Sequence, residues 1–203
     1  MDADAVEIRV LGCLIEKQRT TPDTYPLTLN SLRLACNQAT NRDPVVDYDE
    51  TTIREALQRL WRKEWARLAS GQGSRSVKYR QLVQETLGLA VDELSVLCVL
   101  MLRGPQTPGE LKQRTERLHP FAGLAEVEET LERLIARGFA VRLARRPGRK
   151  EERYAHLLGG EVDESAVNDA PRPVLAHDPL EERVTALETE FAAIRAALTE
   201  LGL

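Results

Sequence analysis

Between Val141 and Leu157 the sequence runs VRLARRPGRKEERYAHL, which sets Arg142, Arg145, Arg146, Arg149, Lys150 and Arg153 around a Pro-Gly turn against only Glu151 and Glu152. Guanidinium groups at a hairpin tip make bidentate, charge-assisted hydrogen bonds to phosphate oxygens and suit a narrow minor groove. The same charges also stop a hairpin edge from pairing with another strand, and a Pro-Gly turn needs no function, so a solvated turn is the competing reading. A second basic stretch, SGQGSRSVKYRQLV, carries Arg75, Lys78 and Arg80 with no acid from Ser70 to Val83. Its Gly-x-Gly sits between two expected strands rather than before a helix, so it reads as a hairpin tip and not a phosphate-cradling loop.

Other reactive side chains do not assemble into a catalytic pattern. His119, His156 and His177 are dispersed, and Cys13, Cys36 and Cys98 lie far apart in apolar-periodic segments. Without Cys-x-x-Cys or His-Glu-x-x-His spacing, the sequence points to buried reduced thiols, to no metal or cofactor, and to a non-enzymatic protein. The polar run Asn37, Gln38, Thr40, Asn41 and Arg42 reads as a helix end capped by Asn37 in the left-handed conformation, with an Asx-type turn before Pro44. A small ligand or phosphate site shared with Asn30 is the alternative.

These residues are carried by a duplicated unit. EIRVLGCLIEKQRTTP (7–22) aligns with ELSVLCVLMLRGPQTP (93–108), pairing Thr21-Pro22 with Thr107-Pro108. IREALQRLWRKEW (53–65) aligns with VEETLERLIARGF (127–139), and Tyr79 aligns with Tyr154. Each copy opens with a helix, buried through Val6, Val10, Cys13 and Leu14 or through Leu94, Leu97, Cys98 and Met101. TLNSLRLACN or PGELKQRTERL supplies a second helix. A third helix buries Ile53, Leu57, Leu60 and Trp61, or Leu124, Val127, Leu131, Leu134 and Ile135. A short hairpin follows, with Phe139, Val141 and Leu143 on one face of its first strand and Ala140, Arg142 and Ala144 on the other. Three helices and a hairpin, containing a helix-turn-helix, are the order of a winged helix.

The fold class expected is therefore mainly α (α+β), with winged-helix domains at 1–84 and 85–160 joined around Gln84 to Val91. An acidic, proline-bearing linker (161–179) and a C-terminal helix (180–203) complete it. In that helix Leu180, Val184, Leu187, Phe191, Ile194, Leu198 and Leu201 alternate spacings of 4 and 3, the seam of a short coiled coil. Self-association as a homodimer is the expectation, with folding of the helix onto its own body as the alternative.

Charge separates the parts. Lys/Arg against Asp/Glu count 13 to 11 in 1–84, 12 to 11 in 85–160 and 3 to 10 in 161–203, so the net −4 belongs to the tail. The absence of an apolar run near ~20 residues, together with an acidic N-terminus, points to a cytoplasmic protein with no membrane span.

DNA recognition by this fold inserts the third helix into the major groove and lays the wing on the backbone. The first copy's third helix offers Arg54, Gln58, Arg59 and Arg62, suited to guanine and adenine edges. The second copy has Glu126, Glu128, Glu129 and Glu132 on the corresponding face, which phosphate would repel. The nucleic-acid contacts expected are thus Arg54, Gln58, Arg59, Arg62, Arg75, Lys78, Arg80, Arg142, Arg145, Arg146, Arg149 and Lys150, in a DNA-binding protein and transcriptional regulator. The alternative is a protein-docking scaffold, since the kleisin-associated subunits of chromosome-condensing complexes resemble this chain in layout. The basic wing would then meet an acidic partner surface or, as an autoinhibitory contact, the chain's own tail.

Glu16 to Val45, with its CNQATNRDPV run (36–45), together with RGPQTPGEL (103–111) and RYAHL (153–157), resembles the YceH-like family of bacterial proteins. That resemblance covers nearly the full chain. It implies a tandem winged-helix fold and supplies no assigned biochemical role and no catalytic residue.

Overall fold

In a computed structural model, residues 3–69, 76–144 and 151–160 are described, and they fall within one compact unit. The chain is mixed helix and sheet. Helix α1 (Ala5–Thr20) is followed by a single 3-10 turn (Pro22–Thr24), β1 (Leu27–Thr28), α2 (Leu29–Cys36), α3 (Glu50–Arg62), β2 (Ala66–Leu68) and β3 (Lys78–Gln81). After α4 (Val83–Thr86) come α5 (Val91–Arg103), α6 (Pro108–Thr115), α7 (Leu124–Ala136), β4 (Ala140–Leu143) and β5 (Arg153–His156). The stretch expected as a plain connection at 84–91 thus contains most of a one-turn helix. Three helices and an antiparallel hairpin recur twice in this order.

Local chemistry sets the helix starts. Asp4 accepts a 2.8 Å bond from the Glu7 amide while Glu7 accepts one from the Asp4 amide, a reciprocal capping box. Thr107 and Glu110 form the same box at α6, whose first residue is Pro108. At α2 the cap is Thr28, which accepts from the Ser31 amide.

These caps correct the repeat alignment. Thr107 corresponds to Thr28, not to Thr21, because each caps the second helix and each follows a residue paired with the hairpin: Leu27 with Tyr79, Gln106 with Tyr154. Thr21-Pro22 instead starts the 3-10 turn, a segment the second copy lacks.

Burial departs from the expected single face on the two opening helices. Every residue from Glu7 to Ile15 and from Glu93 to Leu102 is buried. Both helices are covered all round because α1 packs on α5 as well as on α2 and α3, and α5 on α6 and α7. At the α1–α5 crossing Gly12 meets Leu102, and the Cys98 thiol lies 3.4 Å from the Gly12 carbonyl oxygen. One continuous core results, from Ala3 to Leu158.

Two residues assigned to buried faces are exposed. Trp61 is 65% exposed on α3, while Trp65, three residues past the end of that helix, fills the core instead. Leu124, at the first position of α7, is 49% exposed because the helix has not yet entered the core there. In β4 the expected alternation is broken by Ala140, buried alongside Phe139 and Leu143, while Arg142 is exposed and Val141 only partly covered. No helix among the described residues is long and apolar enough to cross a membrane.

Candidate nucleic-acid interface

Helix α3 is capped by Asp49, whose carboxylate accepts a 2.7 Å bond from the Thr52 amide and sits below its ordinary pKa for that reason. Ile53, Ala56, Leu57 and Leu60 are buried, so Arg54, Glu55, Gln58, Trp61 and Arg62 are turned outward. Arg54 is 3.8 Å from Glu50, a half-exposed pair worth little in solvent.

Arg59 takes a different direction. Its guanidinium lies 2.9 Å from Asp4 and 3.7 Å from buried Glu7, which also receives Lys63 at 2.5 Å. The second copy repeats the arrangement: buried Glu93 faces Arg133 at 3.8 Å and Arg137 at 2.7 Å. A buried carboxylate needs partners. Arg59 therefore serves the joint between the first and third helices, and it reaches the proposed surface less freely than Arg54, Gln58 or Arg62.

In the first hairpin Arg67 pairs with Arg80, and Ala66 and Leu68 pair with Gln81 and Tyr79. Side chains directly opposite share a face. Buried Ala66 and Gln81 turn one face to the core, so Arg67, Lys78 and Arg80 lie on the other. Arg80 also makes a 3.3 Å pair with Glu85. Arg67 was missed in the sequence, although two-residue alternation from Lys78 through Arg80 and its cross-strand position would place it. Arg75 lies outside the described residues.

The second hairpin is differently employed. Arg142 is ion-paired with Glu132, lies 3.5 Å from Glu152 and has its guanidinium 5.6 Å from the centre of the Tyr154 ring. These residues, with Glu128, Glu129 and Arg133, line an open groove of about 800 Å³. Arg145, Arg146, Arg149 and Lys150 lie outside the described residues, as do all seven seam positions from Leu180 to Leu201.

The polar segment after α2 is structural. Buried Arg9 donates to the carbonyls of Cys36 (3.1 Å) and Pro44 (2.6 Å). Buried Arg42 donates to Ala35 and Gln38 and to both oxygens of Glu16. Against the burial that disfavours its charge, Glu16 holds this guanidinium protonated. Asn37 both donates to and accepts from the Tyr48 backbone. Its φ of −92° corrects the expected left-handed cap, and it is Asn41 that adopts φ 61°. Asn30 accepts from Arg33 on its own helix.

Cys13, Cys36 and Cys98 are free and buried, and among the described residues no group of three or more His, Cys, Asp and Glu side chains could hold a metal ion. Hydrogen bonding with Cys13 and burial push the Cys36 thiol up, and burial pushes Cys98 up. His119 meets Phe121 edge-on, and His156 lies on β5. His177 is outside the described residues.

Residues 3–149, from before α1 to beyond β4, match the family described as a protein of unknown function, DUF480. The chain belongs to this family. A UPF0502 protein of Pelobacter propionicus is 52% identical over 93% of this chain and 88% of its own length. The UPF0502 protein YceH of Salmonella paratyphi B is 46% identical over 97% of this chain and 94% of its own length, as is that of Salmonella typhimurium. The DUF480 match spans both three-helix units, and with them Arg54, Gln58, Trp61, Arg62 and Arg67.

Proposed function

We propose that the protein binds duplex DNA, non-enzymatically, through the first of two winged helices, with α3 in the major groove and the β2–β3 hairpin on the adjoining backbone. One observation carries the reading: Arg54, Gln58 and Arg62 are turned outward from the buried face of α3, and Arg67, Lys78 and Arg80 share the outer face of the hairpin that follows. Arginine and glutamine match the edges of guanine and adenine, and the hairpin cations match phosphate. In the second copy Glu128 and Glu132 stand where the first has Arg54 and Gln58, and Glu132 and Glu152 occupy Arg142. That favours protein docking, the second reading, for the second copy.

Transcriptional regulation in the cytoplasm by a homodimer joined through the C-terminal seam is the biological form of this reading. Anisotropy titration of mixed-sequence duplex DNA gives binding whose affinity falls with salt at about −0.9 per phosphate, a slope of about −3.6 or steeper for four contacts. No binding at tens of micromolar protein refutes the reading. Reversing Arg54 and Arg62 to Glu abolishes binding. Reversing Arg145, Arg146, Arg149 and Lys150 to Glu weakens it if the second wing touches DNA, and unchanged affinity confines contact to the first copy. Truncation after Gly160 lowers the mass measured by light scattering, and an unaltered mass rejects the seam dimer.

A further inference from the structure

An exposed tryptophan on a short polar helix face needs a reason. Trp61 is the most exposed large apolar side chain among the described residues. It lies on the shoulder of α3 that carries Arg54 and Gln58, at helical spacings of 4 and 3, and opposite the shoulder through which Arg59 and Lys63 reach α1. Arg54 to Trp61 covers about 10 Å along the helix axis, close to three base-pair steps of about 3.4 Å.

The surroundings argue against a helix-in-groove protein contact. Such a contact needs an apolar row at i, i+3, i+4 and i+7. Around Trp61 the exposed positions on that spacing within α3 are Arg54 and Gln58, while Leu57 is buried. Trp61 is the one exposed large apolar side chain of α3, and an indole in a stripe otherwise made of Arg54, Gln58 and Arg62 matches a partner that is anionic and mostly polar with isolated apolar spots. The major groove is such a surface, and its apolar spot is the thymine C5-methyl group.

Resting on the DNA-binding reading, we propose that Trp61 is a specificity-determining contact which packs on thymine methyl groups, so that the target duplex carries thymine beside the bases met by Arg54 and Gln58. The indole is neutral, so its contribution is insensitive to salt, unlike that of the arginines.

The test uses the full chain and two labelled pools of random duplexes of about 24 base pairs, one made with thymine and one with uracil, which lacks the methyl. The wild type binds the thymine pool about two- to fourfold more tightly, the scale of one buried methyl. Trp61→Ala binds both pools alike, weakly, and with the wild-type salt slope, while Trp61→Phe retains part of the preference. Circular dichroism shows the variants folded, as an exposed side chain requires. Wild-type binding that is indifferent to the methyl, with Trp61→Ala unchanged, overturns the inference and leaves the DNA reading standing, the indole then belonging to a protein contact. A shallower salt slope in Trp61→Ala also overturns it, because the indole N–H would then be meeting phosphate. No binding to either pool by the wild type removes the DNA reading and this inference together.

Discussion

Arg42 shows how one residue can look functional in sequence and be structural in the fold. Its guanidinium meets both oxygens of Glu16 and two groups at the end of α2, with its side chain fully buried. Replacing it by Met leaves Glu16 without its buried partner, and urea denaturation is expected to show a loss of about 3 kcal/mol. DNA affinity per folded molecule is unchanged, which separates the loop's structural role from a ligand role. His156 gives a pH signature. Burial lowers it to about 4 from an ordinary 6.5, and its Nδ1 is shielded without a hydrogen-bond partner. The unfolded chain therefore takes up a proton below about 6.5 that the folded chain refuses until about 4. The stability contributed by neutral His156 is complete above 6.5 and is lost as pH falls towards 4. Denaturation midpoints followed from pH 7 to 4 fall more steeply in the wild type than in His156→Leu, and equal slopes contradict the assignment. Side-chain type made Arg54, Gln58 and Arg62 legible in the sequence. It could not separate Arg59 from them, because that depends on where Asp4 and Glu7 lie, some fifty residues earlier in the chain.

At the scale of elements, the α1–α5 crossing is the tightest joint. A Cβ on Gly12 would lie 2.8 Å from Leu102 Cδ2 and 3.0 Å from its Cγ. Gly12→Val adds two further methyls to that contact, and overpacking of this kind costs about 1–3 kcal/mol, read as a lowered denaturation midpoint. An unchanged midpoint would mean that Leu102 yields freely. Helix order, the hairpins and the duplication were readable from apolar periodicity, since Ile53, Leu57 and Leu60 recur as Val127, Leu131 and Leu134. The crossing was not readable. Glu7, Arg9 and Glu93 interrupt the apolar pattern of helices that are buried on every side, and a pattern method places such residues in solvent. They are tolerated inside because Glu7 and Glu93 are both met by cations at the end of the third helix of their own copy, while Arg9 donates to two carbonyls. The joints themselves are a sequence signal: Glu7 with Arg59 and Lys63, and Glu93 with Arg133 and Arg137, recur at matching places in the two copies.

For the whole molecule, the shared core decides how the two copies behave together. Separated at residue 84, each would present one side of its opening helix to water, around Gly12 in the first and including Cys98, Met101 and Leu102 in the second. A surface of that kind makes a half-molecule of some 80 residues marginal at best. The described unit is therefore expected to unfold in a single transition, with calorimetric and van 't Hoff enthalpies equal, whereas two transitions would mean that each copy folds alone. Coupling has a functional consequence. On the proposed DNA-binding reading, duplex DNA at 100 times its dissociation constant from the first copy would stabilise the folded state by about 2.7 kcal/mol. If the core is shared, that stabilisation reaches both copies, and the single melting transition moves up as one on adding duplex DNA. A transition that splits, with only one part shifted, would show that the second copy does not report occupancy of the first. It would also remove the simplest way for a partner docked on the carboxylate-rich face of α7 to sense DNA bound at α3.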